Sequence, residues 1–275
     1  MDYRIVTDGS CDLPPELCRS KEIDVVPFYV SFDSENYMKE IVDMPIRKFY
    51  EQMVEDPTTF PKSSMPSVQD YVDVFKPVVE AGKAVICICI TTKFSGSYQS
   101  AMNAKEMLLE NYPDARITVM DSTVDTVLQG LFVLEAVKMY EAKLPYEKVI
   151  EELESIKSTG RIFFTVGNID YLKHGGRIGK LAGLAGSVLG IKPLITLKEG
   201  EIFPSGVSRS RKKSLEKVFE LLWQYLQEVN AVSGEYSICV GYGYDIAEAE
   251  EFRKGAVSFL NEKGYAITDM ELQKY

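Results

Sequence analysis

Two stretches of the chain gather hydroxyl side chains where helices are due to begin. "TTKFSGSYQSA" (91–101) follows the apolar run "AVICICI" and holds five serines and threonines, one glycine and no acid. "FPKSSMPS" (60–67) sets Ser63 and Ser64 between Pro61 and Pro66, which hold the backbone extended, and Ser67 can cap a helix over 67–82. A hydroxyl accepts from an N–H and also donates to a ligand oxygen. The first N–H groups of a helix act as about half a positive charge, so a serine-rich helix start suits an anion. Ser95 can be the N-cap of its helix, with Gly96 permitting close approach. Serine at an N-cap is also common for its own sake, and capping alone accounts for either stretch. Two such stretches in one half of the chain could face one ligand.

Other chemistries find little footing. The single histidine, His174, lies in a glycine-rich loop, and no G-x-S-x-G elbow surrounds any serine. "VGYGYDI" (240–246) is only a fragment of a nucleotide-binding glycine loop, and no P-loop occurs. Five cysteines, an odd number without regular spacing, suit a reducing cytoplasm. Cys87 and Cys89 alternate on one strand face and read as core, since free cysteine packs as a small hydrophobe. No metal and no cofactor are expected.

The net charge of −10 argues against nucleic acid or an anionic membrane as the main partner. It makes two basic stretches conspicuous, "YLKHGGRIGK" (171–180) and "SRSRKKS" (208–214), whose plain reading is solvated loops or helix starts. "LAGLAGSVLGI" (181–191), the longest stretch poor in charge, is too short to span a bilayer. The first residues lack a signal-peptide pattern, so a cytoplasmic location is expected. Gly179, Gly183, Gly186 and Gly190 are spaced 4, 3 and 4 apart, which would stack them on one face of a helix. Each glycine inside a helix costs ~1 kcal/mol relative to alanine. Such a stripe is expected either to pack tightly against a neighbour or to wall an apolar channel.

The elements that must position these residues follow from periodicity. Strands are expected at 3–7, 24–32, 84–90 and 117–121, with helices at 44–55, 67–82, 97–112, 124–142 and 145–158. Strands separated by helices predict a parallel sheet covered on both faces. After residue 159 the rhythm changes: a strand in "RIFFTVG", a hairpin turned at Glu199–Gly200, helices over 208–229 and 245–263, and strands in "YSICVGYG" and "AITDMEL". The expected fold is α/β: a parallel-sheet N-terminal domain (1–159) and a smaller mixed-sheet domain (160–275), with a ligand cleft between them.

Taken together, "TDGSCDLP" (7–14), "KSSMPS" (62–67), "FSGSYQSA" (94–101), "MDS" (120–122), "YLKHGGRIGK", "KPLI" (192–195) and "RSRKK" (209–213) resemble the DegV family of fatty-acid-binding proteins. The resemblance runs through nearly the whole chain. It implies two α/β domains holding a long-chain fatty acid and presenting its carboxylate to a separate fatty acid kinase, with no catalysis by the carrier itself. It assigns the carboxylate to Ser63, where the family more often has threonine, and to Ser95. It places Arg177 and Arg209 at the headgroup or the partner surface; on the channel reading of the glycine stripe, Gly183 and Gly186 line the channel wall. Family chains usually continue past a strand like "AITDMELQKY" into a glycine-rich segment with a histidine, which this sequence does not contain. Against the carrier stand an enzyme or kinase subunit acting on a small polar metabolite, and a ligand-free structural module. The first predicts a polar, water-filled cleft.

Overall fold

The computed structural model describes residues 3–167, 169–184 and 190–274, which fall into two compact units, Met1–Gly160 and Arg161–Tyr275. The first unit runs β1 (Tyr3–Asp8), α1 (Pro15–Ser20), β2 (Ile23–Val26), β3 (Tyr29–Ser31), β4 (Met38–Lys39), α2 (Ile46–Glu55), β5 (Lys62–Ser64), α3 (Val68–Glu80), β6 (Ala84–Cys89), α4 (Ser97–Asn111), β7 (Ile117–Asp121), α5 (Thr126–Glu141) and α6 (Tyr146–Ile156). The second runs β8 (Ile162–Thr165), α7 (Asp170–His174), β9 (Lys192–Lys198), β10 (Glu201–Ser208), α8 (Arg211–Glu228), β11 (Cys239–Tyr242), α9 (Ile246–Glu262) and β12 (Glu271–Lys274).

In the first unit, the order β2-β1-β6-β7 makes a wholly parallel sheet. The unbroken apolar run of β6 suits its place at the centre, where helices cover both faces and every residue is buried. Ile5, Ile86 and Ile88 pack against Phe132 and Val133 of α5 and Leu153 of α6. Val6, Val85, Cys87 and Cys89 pack on the opposite face against Tyr71 and Phe75 of α3 and Ala101 and Ala104 of α4. The paired cysteines are thus core residues, as their alternation predicts. Because the strands are parallel, Asp8, Cys89 and Asp121 end along one edge of the sheet, where ligands of such sheets bind.

The expected single strand 24–32 is two. It breaks at Pro27, which has no N–H to give a ladder. Its first half, β2, joins the parallel sheet. Its second half, β3, joins a separate antiparallel sheet of order β4-β3-β5. The stretch around Ser63, which its prolines hold extended, is the strand β5 of that sheet.

In the second unit, β9 and β10 form the expected hairpin, and β8 pairs antiparallel on the far side of β9. Glu199 (φ 52°) and Gly200 (φ 81°) both take left-handed conformations at the turn, as a two-residue hairpin of this twist requires. β11 and β12 pair in parallel, so the unit is mixed α/β. Leu226 of α8 and Leu260 of α9 share a core with Val240 and Met270, and the Phe219 and Phe252 rings lie 4.7 Å apart. The last strand starts at Glu271, later than "AITDMEL" predicts.

The glycine stripe needs correction. Residues Gly179–Leu184 form a 3₁₀ helix, whose three-residue turn does not stack positions four apart. Gly179 (φ 49°) and Gly190 (φ 90°) are left-handed, outside any right-handed helix. Gly186 lies outside the described residues.

Candidate functional site

Ser63 and Ser64 sit exposed on β5, where Val30 pairs with Ser63 and Tyr29 with Ser64. One half-buried carboxylate fastens this small sheet to α3. Asp70 accepts from the Tyr29 hydroxyl (3.0 Å) and from Lys39 Nζ on β4 (2.7 Å). It also accepts from the backbone N–H of Ser67, whose own hydroxyl accepts from Asp70 N–H in a reciprocal cap. Burial pushes the Asp70 pKa up, but the hydrogen bonds from Lys39, Ser67 and Tyr29 outweigh it and bring it to about 2.

The second hydroxyl segment leaves β6 through a tight turn. The N–H groups of Phe94 and Ser95 both donate to the Thr91 carbonyl, at 3.0 and 3.3 Å. Ser95 was the expected N-cap, but α4 starts one residue later, with Gly96 at the cap position and no side chain capping it. Ser95 Oγ still accepts from the N–H of Ser97 at 3.2 Å. That arrangement spends one lone pair on the helix start and leaves the O–H able to donate outward. The two segments converge: a Cβ on Gly96 would lie 2.5 Å from Met65 Sδ. Met65, next to Ser64, therefore rests directly on the backbone of the Ser95–Ser97 turn, and the missing side chain at Gly96 is what admits it.

Beneath the turn is a polar hub at Asp8, to which the sequence analysis gave no separate role. Asp8 is fully buried and caps nothing by its side chain. Instead, Ile90 N–H (2.9 Å) and the Ser97 hydroxyl (2.7 Å) donate to its Oδ2, and Gln129 Nε2 (2.8 Å) donates to its Oδ1. Ser97 Oγ is in turn 2.6 Å from the Tyr71 hydroxyl. Burial raises the Asp8 pKa, and these donors oppose the rise. The signal for this hub was an acid closing an otherwise apolar strand, "YRIVTD". Around it, burial raises the carboxyls of Asp12, Glu40 and Asp125, with the neighbouring acids adding to the rise at Asp12 and Glu40; Asp125 reaches about 7. Among the described residues no cluster of His, Cys, Asp or Glu could hold a metal ion.

The other expected site residues belong to the second unit. Arg177 is exposed and donates to the Gly175 carbonyl. Arg209 is exposed between β10 and α8. A Cβ on Gly183 would meet nothing within 4 Å. His174 is exposed at the end of α7. Among the described residues, no helix is long and apolar enough to cross a membrane.

The comparisons agree with one another. Residues 2–271 match the family model described as "Uncharacterised protein, DegV family". A DegV domain-containing protein of Listeria innocua is 31% identical over 265 residues, which is 96% of this chain and 90% of that protein. A fatty acid (stearic acid)-binding protein from Eubacterium ventriosum superposes with a TM-score of 0.91 at 46% identity, covering 94% of this chain and 88% of that one. A DegV family protein from Thermus thermophilus, described by its fatty acid binding, superposes with a TM-score of 0.81 at 26% identity, covering 100% and 92%.

Proposed function

The chain belongs to the DegV family, and from that membership, with its converging hydroxyl segments, we propose that it is a non-enzymatic carrier of a long-chain fatty acid. The Ser63 and Ser95 hydroxyls hold the carboxylate, helped by the uncapped start of α4. The observation that carries this reading is the seat of Met65 on Gly96, which brings the two serine segments together on one side of the sheet edge. A carboxylate bound by such donors stays ionised, because hydrogen bonds to the charged form favour it. The tail supplies most of the affinity, at about 0.8 kcal/mol per buried CH₂, and the assignment of Gly183 to the wall of its channel is part of this reading, Gly186 lying outside the described residues. Arg177 and Arg209 serve the headgroup or the surface offered to a fatty acid kinase, which performs the chemistry.

Solvent extraction of natively purified protein, read by mass spectrometry, tests the reading. Near-stoichiometric long-chain fatty acid is expected. A clean extract, combined with no binding of added palmitate or oleate, would overturn it. A polar metabolite in the extract would favour an enzyme or kinase subunit.

A further inference from the structure

Met65 occupies the point where the two hydroxyl segments meet, next to Ser64 and against Gly96. Among the described methionines only Met65 and Met107 are exposed, at 46% and 49%. The others are buried or half-buried. Both exposed side chains stand open to an oxidant, which converts a thioether to a sulfoxide. Their surroundings differ. Met107 lies about 15 Å further along α4 than Ser97, at the rise of an α-helix. Met65 Sδ lies 2.5 Å from where a Gly96 Cβ would be, so the sulfur itself touches the turn that opens α4.

The backbone beside that sulfur is short of acceptors. Gly96 holds the cap position of α4, and no side chain caps it. Among the described residues the Ser97 N–H goes to Ser95 Oγ at 3.2 Å, and the N–H groups of Gly96, Tyr98 and Gln99 meet no acceptor of the chain. A thioether sulfur is a weak acceptor and does not meet that need. A sulfoxide is polar, and its oxygen accepts strongly. Oxidation places that oxygen on the one atom that touches the turn. The modified side chain then supplies the cap that Gly96 cannot.

We propose that Met65 is an oxidation site whose sulfoxide caps the start of α4 and competes with a fatty-acid carboxylate for the same N–H groups, so that a peroxide switches ligand affinity. In the forward step a sulfur lone pair attacks one oxygen of the peroxide. The S–O bond forms as the O–O bond breaks, and the second oxygen leaves as water or an alcohol, carrying the proton released from the first. Sulfur loses two electrons and the peroxide gains them. A thiol-dependent methionine sulfoxide reductase reverses the change. The cap follows from the contact at Gly96 alone, whereas its effect on affinity rests on the proposed carboxylate site.

Treating the full chain with hydrogen peroxide tests it. Peptide mass spectrometry reads the sulfoxide at each methionine, NMR reads amide exchange at residues 96–99, and titration reads oleate affinity. Oxidation of Met65 should slow exchange at one or more of those N–H groups and weaken oleate binding by about fivefold or more, the worth of one cap. Methionine sulfoxide reductase with dithiothreitol should restore both. Met107→Leu should respond to peroxide as the parent does, and Met65→Leu should keep the affinity it had before treatment. Unchanged amide exchange in protein oxidised at Met65 would overturn the proposal while leaving the carrier reading intact. An equal loss of affinity in treated Met65→Leu, or oxidation of Met65 no faster than that of half-buried Met53 and Met102, would also overturn it. If oleate binds neither form, the carrier reading fails, and the exchange measurement alone upholds or overturns the cap.

Discussion

Asp8 and Ser97 stand 89 positions apart in sequence, and the Ser97 hydroxyl donates to the Asp8 carboxylate at 2.7 Å. That bond ties the first turn of α4 to the end of β1, directly under the proposed carboxylate site. Asp8→Ala would leave the Ile90 N–H without its acceptor and the Gln129 amide with only Thr7 Oγ1 to donate to. Each buried group left unpaired costs about 1–3 kcal/mol. We predict a clear fall in the urea midpoint at an unchanged slope, with a smaller fall for Asp8→Asn. An unchanged midpoint for Asp8→Ala would show the hub to be dispensable.

Ser95→Ala and Ser63→Ala should each weaken fatty-acid binding by about 1–3 kcal/mol. Their effects on stability should differ. Ser95→Ala also removes the acceptor for Ser97 N–H, at a cost of about 0.5–1.5 kcal/mol. Ser63 is exposed, and its substitution should stay within about 0.5 kcal/mol of the parent. Titration with oleate and thermal melts on both variants measure the two quantities separately.

Gly96→Ala should displace Met65, the flexible side chain that its Cβ would strike. Paired with Met65→Ala, the substitution should do less harm than the single changes sum to. A double-mutant cycle on oleate affinity should report a coupling of about 0.5–3 kcal/mol, the range for residues in contact. Additive effects would mean that the two hydroxyl segments are energetically independent.

Acid and neutral pH should act in opposite directions at two carboxyls. Asp70 titrates near 2 in the folded protein, below its ordinary 3.8. Its contribution is therefore present above about 3.8 and lost as pH falls through 2. Asp125 titrates near 7, so the folded state binds its proton more tightly, and its contribution is lost as pH rises from about 4 through 7. Asp125→Asn should flatten the decline of stability across that upper window, and Asp70→Asn should flatten the acid limb. Urea midpoints between pH 2 and 8 give both slopes.

Gly183→Leu should leave the melting temperature close to that of the parent, because its side chain enters open space. In the proposed channel it should weaken binding of eighteen-carbon acids more than twelve-carbon ones. Equal losses for both lengths would remove Gly183 from the wall.

The periodic parts of the fold were legible because burial itself writes the pattern. The central strand "AVICIC" and the helices that cover it stand out without any partner being known. The hydroxyl segments were legible by residue type, and their convergence was not, since it rests on a single methionine lying on a glycine 31 positions away. Asp8 was missed for a similar reason: its role is set by donors from β6, α4 and α5, which local reading cannot bring together. The glycine stripe failed because equal spacing was read as α-helix, whereas two of its members have left-handed backbones that only the structure reveals.

Asp70 makes the strand bearing Ser63 a passenger of α3. Tyr29 and Lys39 reach that carboxylate from the two strands beside Ser63 or next along the small sheet, while α2, the helix between β4 and β5, buries none of its residues. A small sheet tied to its neighbouring helix in this way can open as one cooperative unit. Its opening rate, set by the breaking of the Asp70 contacts, then becomes an upper limit on how fast any ligand that depends on this strand for exit can leave.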